Sequence, residues 1–265
     1  MTDDEAILLL QQRRATWFLG DEGPSVPPGT SARWRVTPEA PQGWQANMVG
    51  YAQAHNQAGL AQVVDTAVGF FGFFGASTWV DTDSRSALWR EKELLRTKGF
   101  VLHDDWDVLL CRRLVPPRPA LVTVRWATTS ADLRWAAWIA AQLEATQPVA
   151  LSDAVVAQRL VRYENEQQGW HTQFVLAFVG EQPVGTARLT AERLPVVVGV
   201  ATLPQARGRG VGTTLTAALT THALAEREGC ALYVERGSQA ARIYARLGYA
   251  PLFRTRTWLR RWSAL

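Results

Sequence analysis

The spacing of apolar and polar positions changes repeatedly along the chain, and each change marks an element. Leu121-Val-Thr-Val-Arg-Trp126 alternates and predicts a strand. Ser130 or Asp132 then caps a helix through Leu133, Trp135, Trp138, Ile139 and Leu143. Ser152 or Asp153 starts another through Val155, Val156, Leu160 and Tyr163. Phe174–Val179 reads as a strand, Gly180-Glu-Gln-Pro183 as a turn, and Val184–Leu189 as the next strand. The apolar run Val196–Thr202 meets the breaker pair Leu203-Pro204, then a glycine-rich turn. A helix through Leu215, Leu219 and Leu224 follows, with Gly229 at its end. Cys230–Val234 predicts a buried strand. Ser238 caps a helix from Gln239 to Leu247 stopped by Gly248, and Leu252–Leu259 is a closing strand.

The first half carries weaker periodicity. Asp3 or Asp4 caps a helix through Ile7–Leu10, and Arg33–Val36 and Trp44–Val49 have strand character. Asn56 caps a helix through Leu60, Val63, Val64, Ala67, Phe70 and Phe71, and the Gly-Phe-Phe repeat of Gly69–Gly75 reads as close packing at its end. Thr78–Val80 is a buried strand, and Asp83 or Ser84 starts a helix ending at Gly99. Phe100–Leu102 and Val108–Leu114 read as a hairpin around His103-Asp-Asp-Trp-Asp107. Consecutive side chains on a turn rarely converge, which favours a solvated turn there over a metal site. Pro116-Pro117-Arg118-Pro119 is a stiff connection and the expected boundary between residues 1–115 and 120–265.

The turn Gln205-Ala-Arg207-Gly208-Arg209-Gly210-Val211-Gly212-Thr213 carries the candidate chemistry. Its glycines allow close backbone approach and conformations that side chains forbid. Unpaired N–H groups of the first helical turn and the positive end of the helix dipole favour an anion there. A nucleotide P-loop needs a lysine after its glycines, and none follows. A dinucleotide loop needs Gly-x-Gly-x-x-Gly, whereas Gly208, Gly210 and Gly212 alternate. A surface turn with solvated arginines is the plain alternative.

Composition narrows the picture. The 265 residues suffice for one large or two modest domains, and 47% hydrophobic with 20% charged residues suits a globular protein. The net charge of +4 rests on arginine, lysine occurring only at Lys92 and Lys98, and no dense basic block forms. Arg254, Arg256, Arg260 and Arg261 come closest and read as one strand face, so a nucleic-acid partner is not expected. Cys111 and Cys230 have no metal spacing and read as core residues of a reducing compartment. No apolar run approaches a membrane span and no signal peptide is evident, so a cytoplasmic location is expected.

Arg207-Gly-Arg-Gly210-Val-Gly212 resembles the Arg/Gln-x-x-Gly-x-Gly/Ala loop of GCN5-related N-acetyltransferases, with Pro204 also matching and Thr202 where an apolar residue is usual. Ala240-Ala-Arg-Ile-Tyr244-Ala-Arg-Leu-Gly248-Tyr249 resembles the family's second signature, Ala-x-x-x-Tyr-x-x-x-Gly-Phe, with Gly237 where Asn or Ser is common. Leu94-Leu95-Arg-Thr-Lys-Gly99-Phe100 lines up with Ile243-Tyr244-Ala-Arg-Leu-Gly248-Tyr249, so the first half looks like a faded copy of the second.

The resemblance implies an α/β fold of two such domains in tandem. Each would hold a mixed, mostly antiparallel sheet flanked by helices, and the N-terminal one (1–115) would be degenerate. It implies acetyl-CoA as co-substrate and transfer of the acetyl group to a small-molecule or peptide amine, without metal or membrane. Val200, Ala201, Thr202, Arg207, Gly208, Arg209, Gly210, Val211, Gly212 and Thr213 would bind the thioester and pyrophosphate. Tyr244 would act as general acid, a packed core tyrosine being the bland alternative. The family's usual base on the strand before the loop is missing, leaving Glu192 or Glu235 through water, or an amine that arrives deprotonated. A non-catalytic acetyl-CoA-binding sensor or partner-binding protein is the alternative function. Acceptor and oligomeric state are not legible.

Overall fold

The computed structural model describes residues 1–15, 23–37, 40–42, 47–144 and 153–263. The expected strand start at Trp44, the Ser152 cap and the side chain of Leu143 lie outside what is described. The chain divides into two units. Thr2–Val108 with Leu252–Leu265 make the N-terminal unit; Leu109–Pro251 with Met1 make the C-terminal one.

The N-terminal unit runs α1 (Asp3–Ala15), β1 (Thr30–Arg35), β2 (Met48–Ala54), α2 (Gln57–Phe73), β3 (Thr78–Asp83), α3 (Ala87–Arg90), α4 (Lys92–Thr97) and β4 (Val101–Cys111). Asn56 caps α2, its Oδ1 accepting from Gly59 N–H at 2.8 Å. The apolar stripe of α2 (Leu60, Val63, Val64, Ala67, Phe71) packs with Val49, Val80, Leu95 and Trp258 into one core. In the Gly69–Gly75 repeat, the packing at the helix end comes from Phe70, Phe71 and Phe74, which meet edge to face, and from Gly75, where a built β-carbon would stand 3.8 Å from Trp262, while Gly69 and Gly72 meet no described atom within 4 Å.

The expected hairpin around His103–Asp107 is replaced by one continuous strand, β4. The reason lies in the last strand, β10 (Ala250–Arg260), which from Leu252 onward belongs to this unit and pairs antiparallel with β3. Arg254 donates to both carboxylate oxygens of Asp105 at 2.8 and 2.6 Å, and Arg256 reaches the same group at 3.3 Å. Burial alone raises the Asp105 pKa, but hydrogen bonds and charge from these arginines outweigh it and hold the carboxyl below its ordinary value. Acidic residues that look like a turn in isolation are strand residues neutralised across a sheet. The single helix expected from Asp83 or Ser84 to Gly99 is two short ones: Ser86 caps α3, and Glu91 breaks the run at φ −96°, ψ 37°.

The C-terminal unit runs β5 (Thr123–Trp126), α5 (Ser130–Glu144), α6 (Asp153–Gly169), β6 (Gln173–Val179), β7 (Gln182–Leu189), β8 (Val196–Thr202), α7 (Val211–Glu226), β9 (Cys230–Glu235) and α8 (Gln239–Arg246). Its strand order is β9-β8-β7-β6-β5, and the end of β4 (Leu109–Cys111) adds at the β9 side. Strands β5 to β8 pair antiparallel; β8 and β9 pair parallel. Both units are therefore mixed, mostly antiparallel sheets with helices, as expected.

The unit boundary differs from a cut at Pro116–Pro119, because each half's closing strand is shared. Residues 252–260 complete the N-terminal sheet, and Leu109–Cys111 sit in the C-terminal one. One core of the C-terminal unit joins α7, α8 and the sheet through Val184, Val211, Leu215, Leu219, Leu232 and Tyr244. A second packs Leu133, Ala136, Val156, Tyr163, Ala201 and Leu203 between α5, α6 and the sheet.

Candidate active site

The site is built on β8. Its pairing with β9 covers Val196–Ala231 and Val197–Leu232 and goes no further, although the strands continue to Thr202 and Glu235. The cause is a bulge: Thr186 faces Ala201 but Arg188 faces Val198, so β8 carries an extra residue there. Gly199 absorbs it at φ +64°, a conformation that costs glycine little. Backbone of Val200, Ala201 and Thr202 is thereby released from β9, and Val200 and Thr202 are half-buried while Ala201 is buried.

Beyond Thr202 the chain makes a short 3-10 turn, Pro204–Ala206, and then the glycine loop. Gly208 and Gly210 adopt φ +79° and +81°. Gly210 is the N-cap of α7 and supplies no side-chain cap. The first helical bond runs from Thr214 N–H to Gly210 C=O at 2.9 Å, and none forms from the backbone N–H groups of Gly208–Thr213 among the described residues. Those donors stay open at a helix start, where the dipole adds positive potential. Gly212 lies against the released strand: a β-carbon there would stand 3.7 Å from Val200 and 3.8 Å from Thr202. The helix is seated by Val211, buried over Gly185, where a β-carbon would come within 2.5 Å of its side chain.

A cavity of about 800 Å³ adjoins the loop, lined by Gly208, Arg209, Gly210, Thr213, Arg118 and Arg246 among others. Its described lining contains no carboxylate. Arg207 and Arg209 are exposed. Open amides, a helix start and exposed arginines are the chemistry that favours an anion.

Tyr244 lies on α8, whose N-cap Ser238 accepts from Ala241 N–H at 3.2 Å. Gly237, the departure from the family pattern, adopts φ +74° just before that cap, a turn conformation open to glycine. The Tyr244 side chain is buried in the core beside α7. Burial pushes its phenol above the ordinary value, and a hydrogen bond with Thr216 opposes the shift in part. The group holds its proton at neutral pH, the state an acid needs.

The two carboxylates expected as base candidates part company. Glu192 accepts from the Thr190 hydroxyl in the turn before β8, at the end where β8 and β9 are paired. Glu235 ends β9 on the released side and is exposed. Sequence reasoning missed a second pair: Arg188 of β7 stands 3.7 Å from a β-carbon built on Gly199, and its guanidinium meets Glu166 of α6 at 3.4 Å. A charged residue inside the apolar strand Val184–Leu189 was the available signal.

Comparison with known proteins places this architecture. Residues 170–251 match the model of the acetyltransferase (GNAT) domain. That match spans 82 of the 265 residues, all of them within the C-terminal unit. The chain's solved relatives in fold include a GCN5-related N-acetyltransferase from Sphaerobacter thermophilus (17% identity, TM-score 0.70, covering 96% of this chain and 86% of that one). One from Kribbella flavida gives 19% identity and a TM-score of 0.63 over 93% and 94% of the two chains. A tandem GNAT protein from the clavulanic acid biosynthesis pathway aligns over 100% of this chain and 98% of its own, at 11% identity and a TM-score of 0.61. No curated protein matches the sequence. The domain match supports acyltransferase activity in the C-terminal unit, and the full-length alignment supports the tandem arrangement. No described helix is long and apolar enough to cross a membrane.

Proposed function

We propose that the C-terminal unit transfers the acetyl group of acetyl-CoA to an amine by direct attack on the thioester. The observation that carries this reading is the coincidence of two features. The strand released by the Gly199 bulge leads through a short turn and the glycine loop to a helix start whose amides have no internal partner among the described residues.

In this reading the N–H groups from Gly208 to Thr213, with Arg207 and Arg209, hold the pyrophosphate. The pantetheine lies along Val200–Thr202 in the gap beside β9. A backbone N–H near Val200 or Thr202 receives the thioester oxygen as it gains charge. The amine nitrogen bonds to the carbonyl carbon, the carbon–sulfur bond breaks, and Tyr244 gives its proton to the departing thiolate. The nitrogen loses its proton to water, directly or relayed by Glu235, and the phenolate is reprotonated from solvent.

The N-terminal unit is read as non-catalytic. Its corresponding helix start is capped by its own Asn56, and Leu95, fully buried, stands where Tyr244 does. Neither nucleic acid nor membrane is expected as a partner.

The test is thermal stability with acetyl-CoA, CoA and ATP in parallel. A ligand at about a hundred times its Kd adds roughly 2.7 kcal/mol. A clear shift with both CoA compounds and little with ATP is expected. No shift with either, in folded protein free of co-purified ligand, removes the reading.

A further inference from the structure

Side chains of β8 alternate between two faces of the sheet. Val200 and Thr202 turn to Gly212 at the start of α7. Ala201 and Leu203 turn to the other face, into the core under α5 and α6. On that face lies a second cavity of about 570 Å³, lined by Trp135, Trp138, Val156, Pro183 and Leu203. Leu203 is three residues beyond Val200, which limits their separation to about 11 Å of extended chain. The anion loop and this apolar cavity thus approach the released strand from opposite faces.

The cavity is aromatic by construction. Trp135 and Trp138 sit one helical turn apart on α5, with ring centroids 5.7 Å apart and planes at 86°. Trp135 stays 46% exposed, an indole face kept open to solvent rather than packed. Leu203 and Val156 form a buried floor. The charged lining is Arg134 and Asp153, which meet each other at 3.6 Å on the rim. Asp153 is the one carboxylate among the described lining residues. A polycationic acceptor such as a polyamine or aminoglycoside needs several carboxylates, and a phosphorylated one needs unpaired cations; the described lining has neither.

We infer that this cavity receives the aromatic body of the acceptor, making the substrate class an arylalkyl primary amine. The inference rests on the acetyl-CoA reading of the β8–α7 site. Acceptor and thioester then meet at the gap opened by the bulge, one from each face, as direct transfer requires.

The experiment first measures acetyl-CoA affinity by calorimetry. It then follows thiol release with 2-phenylethylamine, tryptamine, ethanolamine and spermidine. The kcat/KM for the two arylalkylamines should exceed that for ethanolamine and spermidine by about 30-fold or more, the scale of burying a few methylene equivalents. Ala131→Trp adds an indole to an exposed lining position and should lower the arylalkylamine kcat/KM about tenfold. Acetyl-CoA affinity and the ethanolamine rate should stay within about twofold. Trp135→Ala, at a half-exposed site that folding tolerates, should narrow the same preference.

Equal rates across the panel, a preference for spermidine, an unchanged preference in both variants, or no thiol release with arylalkylamines by protein that binds acetyl-CoA each overturns the inference alone. Absence of acetyl-CoA binding overturns the proposed function, and this inference with it.

Discussion

The two halves contain the same strand-to-helix device, completed in opposite ways. In the N-terminal unit, β2 and β3 pair in parallel at Met48–Trp79 and Val49–Val80 among the described residues, as β8 and β9 do at Val196–Ala231 and Val197–Leu232. Each first strand is bulged at the same step: Ser31 faces Gln53 while Arg33 faces Gly50, as Thr186 faces Ala201 while Arg188 faces Val198. Tyr51, at φ +55°, takes the place of Gly199 at φ +64°. The copies also end alike, with Phe100 N–H on Leu95 C=O at 3.0 Å and Tyr249 N–H on Tyr244 C=O at 3.1 Å.

They differ in what caps the helix. Only His55 and Asn56 separate β2 from α2, and Asn56 caps the helix itself. Between β8 and α7 the chain inserts Leu203–Gly210, and the cap is a glycine without a side chain. One half caps its helix start with a side chain; the other leaves the amides of Gly208–Thr213 without an internal partner among the described residues, and in the proposed reading a ligand takes them. The strand geometry is common to both, and the difference lies in the loop.

That contrast can be broken experimentally. The largest effect is expected for Tyr244→Phe, which makes the site resemble its Leu95 counterpart. Turnover should fall about a hundredfold or more, the usual scale of a lost general acid, with acetyl-CoA affinity nearly unchanged. Unchanged turnover in initial-rate assays removes Tyr244 from the mechanism and leaves it a core residue.

Gly210→Asp places a negative charge at the start of α7, at the cost of some strain: the position is left-handed at φ +81° and the new β-carbon would stand 3.2 Å from that of Ala120. Melting in the absence of ligand checks that the variant is folded. Acetyl-CoA affinity should fall about a hundredfold through charge repulsion, measured by calorimetry. Retained affinity places the anion elsewhere.

Asp105→Asn sharpens the comparison of the closing strands, β4 carrying aspartates and β10 arginines. Loss of a charged, two-oxygen acceptor should cost the N-terminal unit about 1.5–3 kcal/mol at neutral pH. The Asp105 pKa is lower folded than unfolded. Its stabilisation is therefore present above the unfolded carboxylate value and lost as pH falls through the folded one. Melting temperatures of wild type and variant should converge on acidification; parallel curves contradict the assignment.

Asn56→Ala should have the smallest effect, about 1 kcal/mol of stability from the lost cap. The acetyl-CoA-induced thermal shift should be unaltered. A changed shift would mean that the N-terminal helix start takes part in ligand binding.

Much of this was legible in the chain. Asn56 and Ser238 announce their helices, and the structure places both as caps. A lone glycine within Val196–Thr202 is the usual mark of a bulge, so the opening beside β9 had a signal, whereas Tyr51 gives none. The hairpin around His103–Asp107 was misread because the partners that make those aspartates strand residues, Arg254 and Arg256, lie about 150 positions away in sequence. Arg188 and Glu166 escaped for the same reason: they become a pair only when α6 packs beside β7.

The sequence by itself determined most of the elements of the C-terminal unit, their order and the glycine loop, because periodicity, capping and glycine conformation act within a few residues of one another. Only tertiary structure decided which unit each closing strand joins, where β8 parts from β9, and which side chains share a face with the released strand. Those outcomes depend on sheet pairing and burial between distant segments, and no local pattern encodes them.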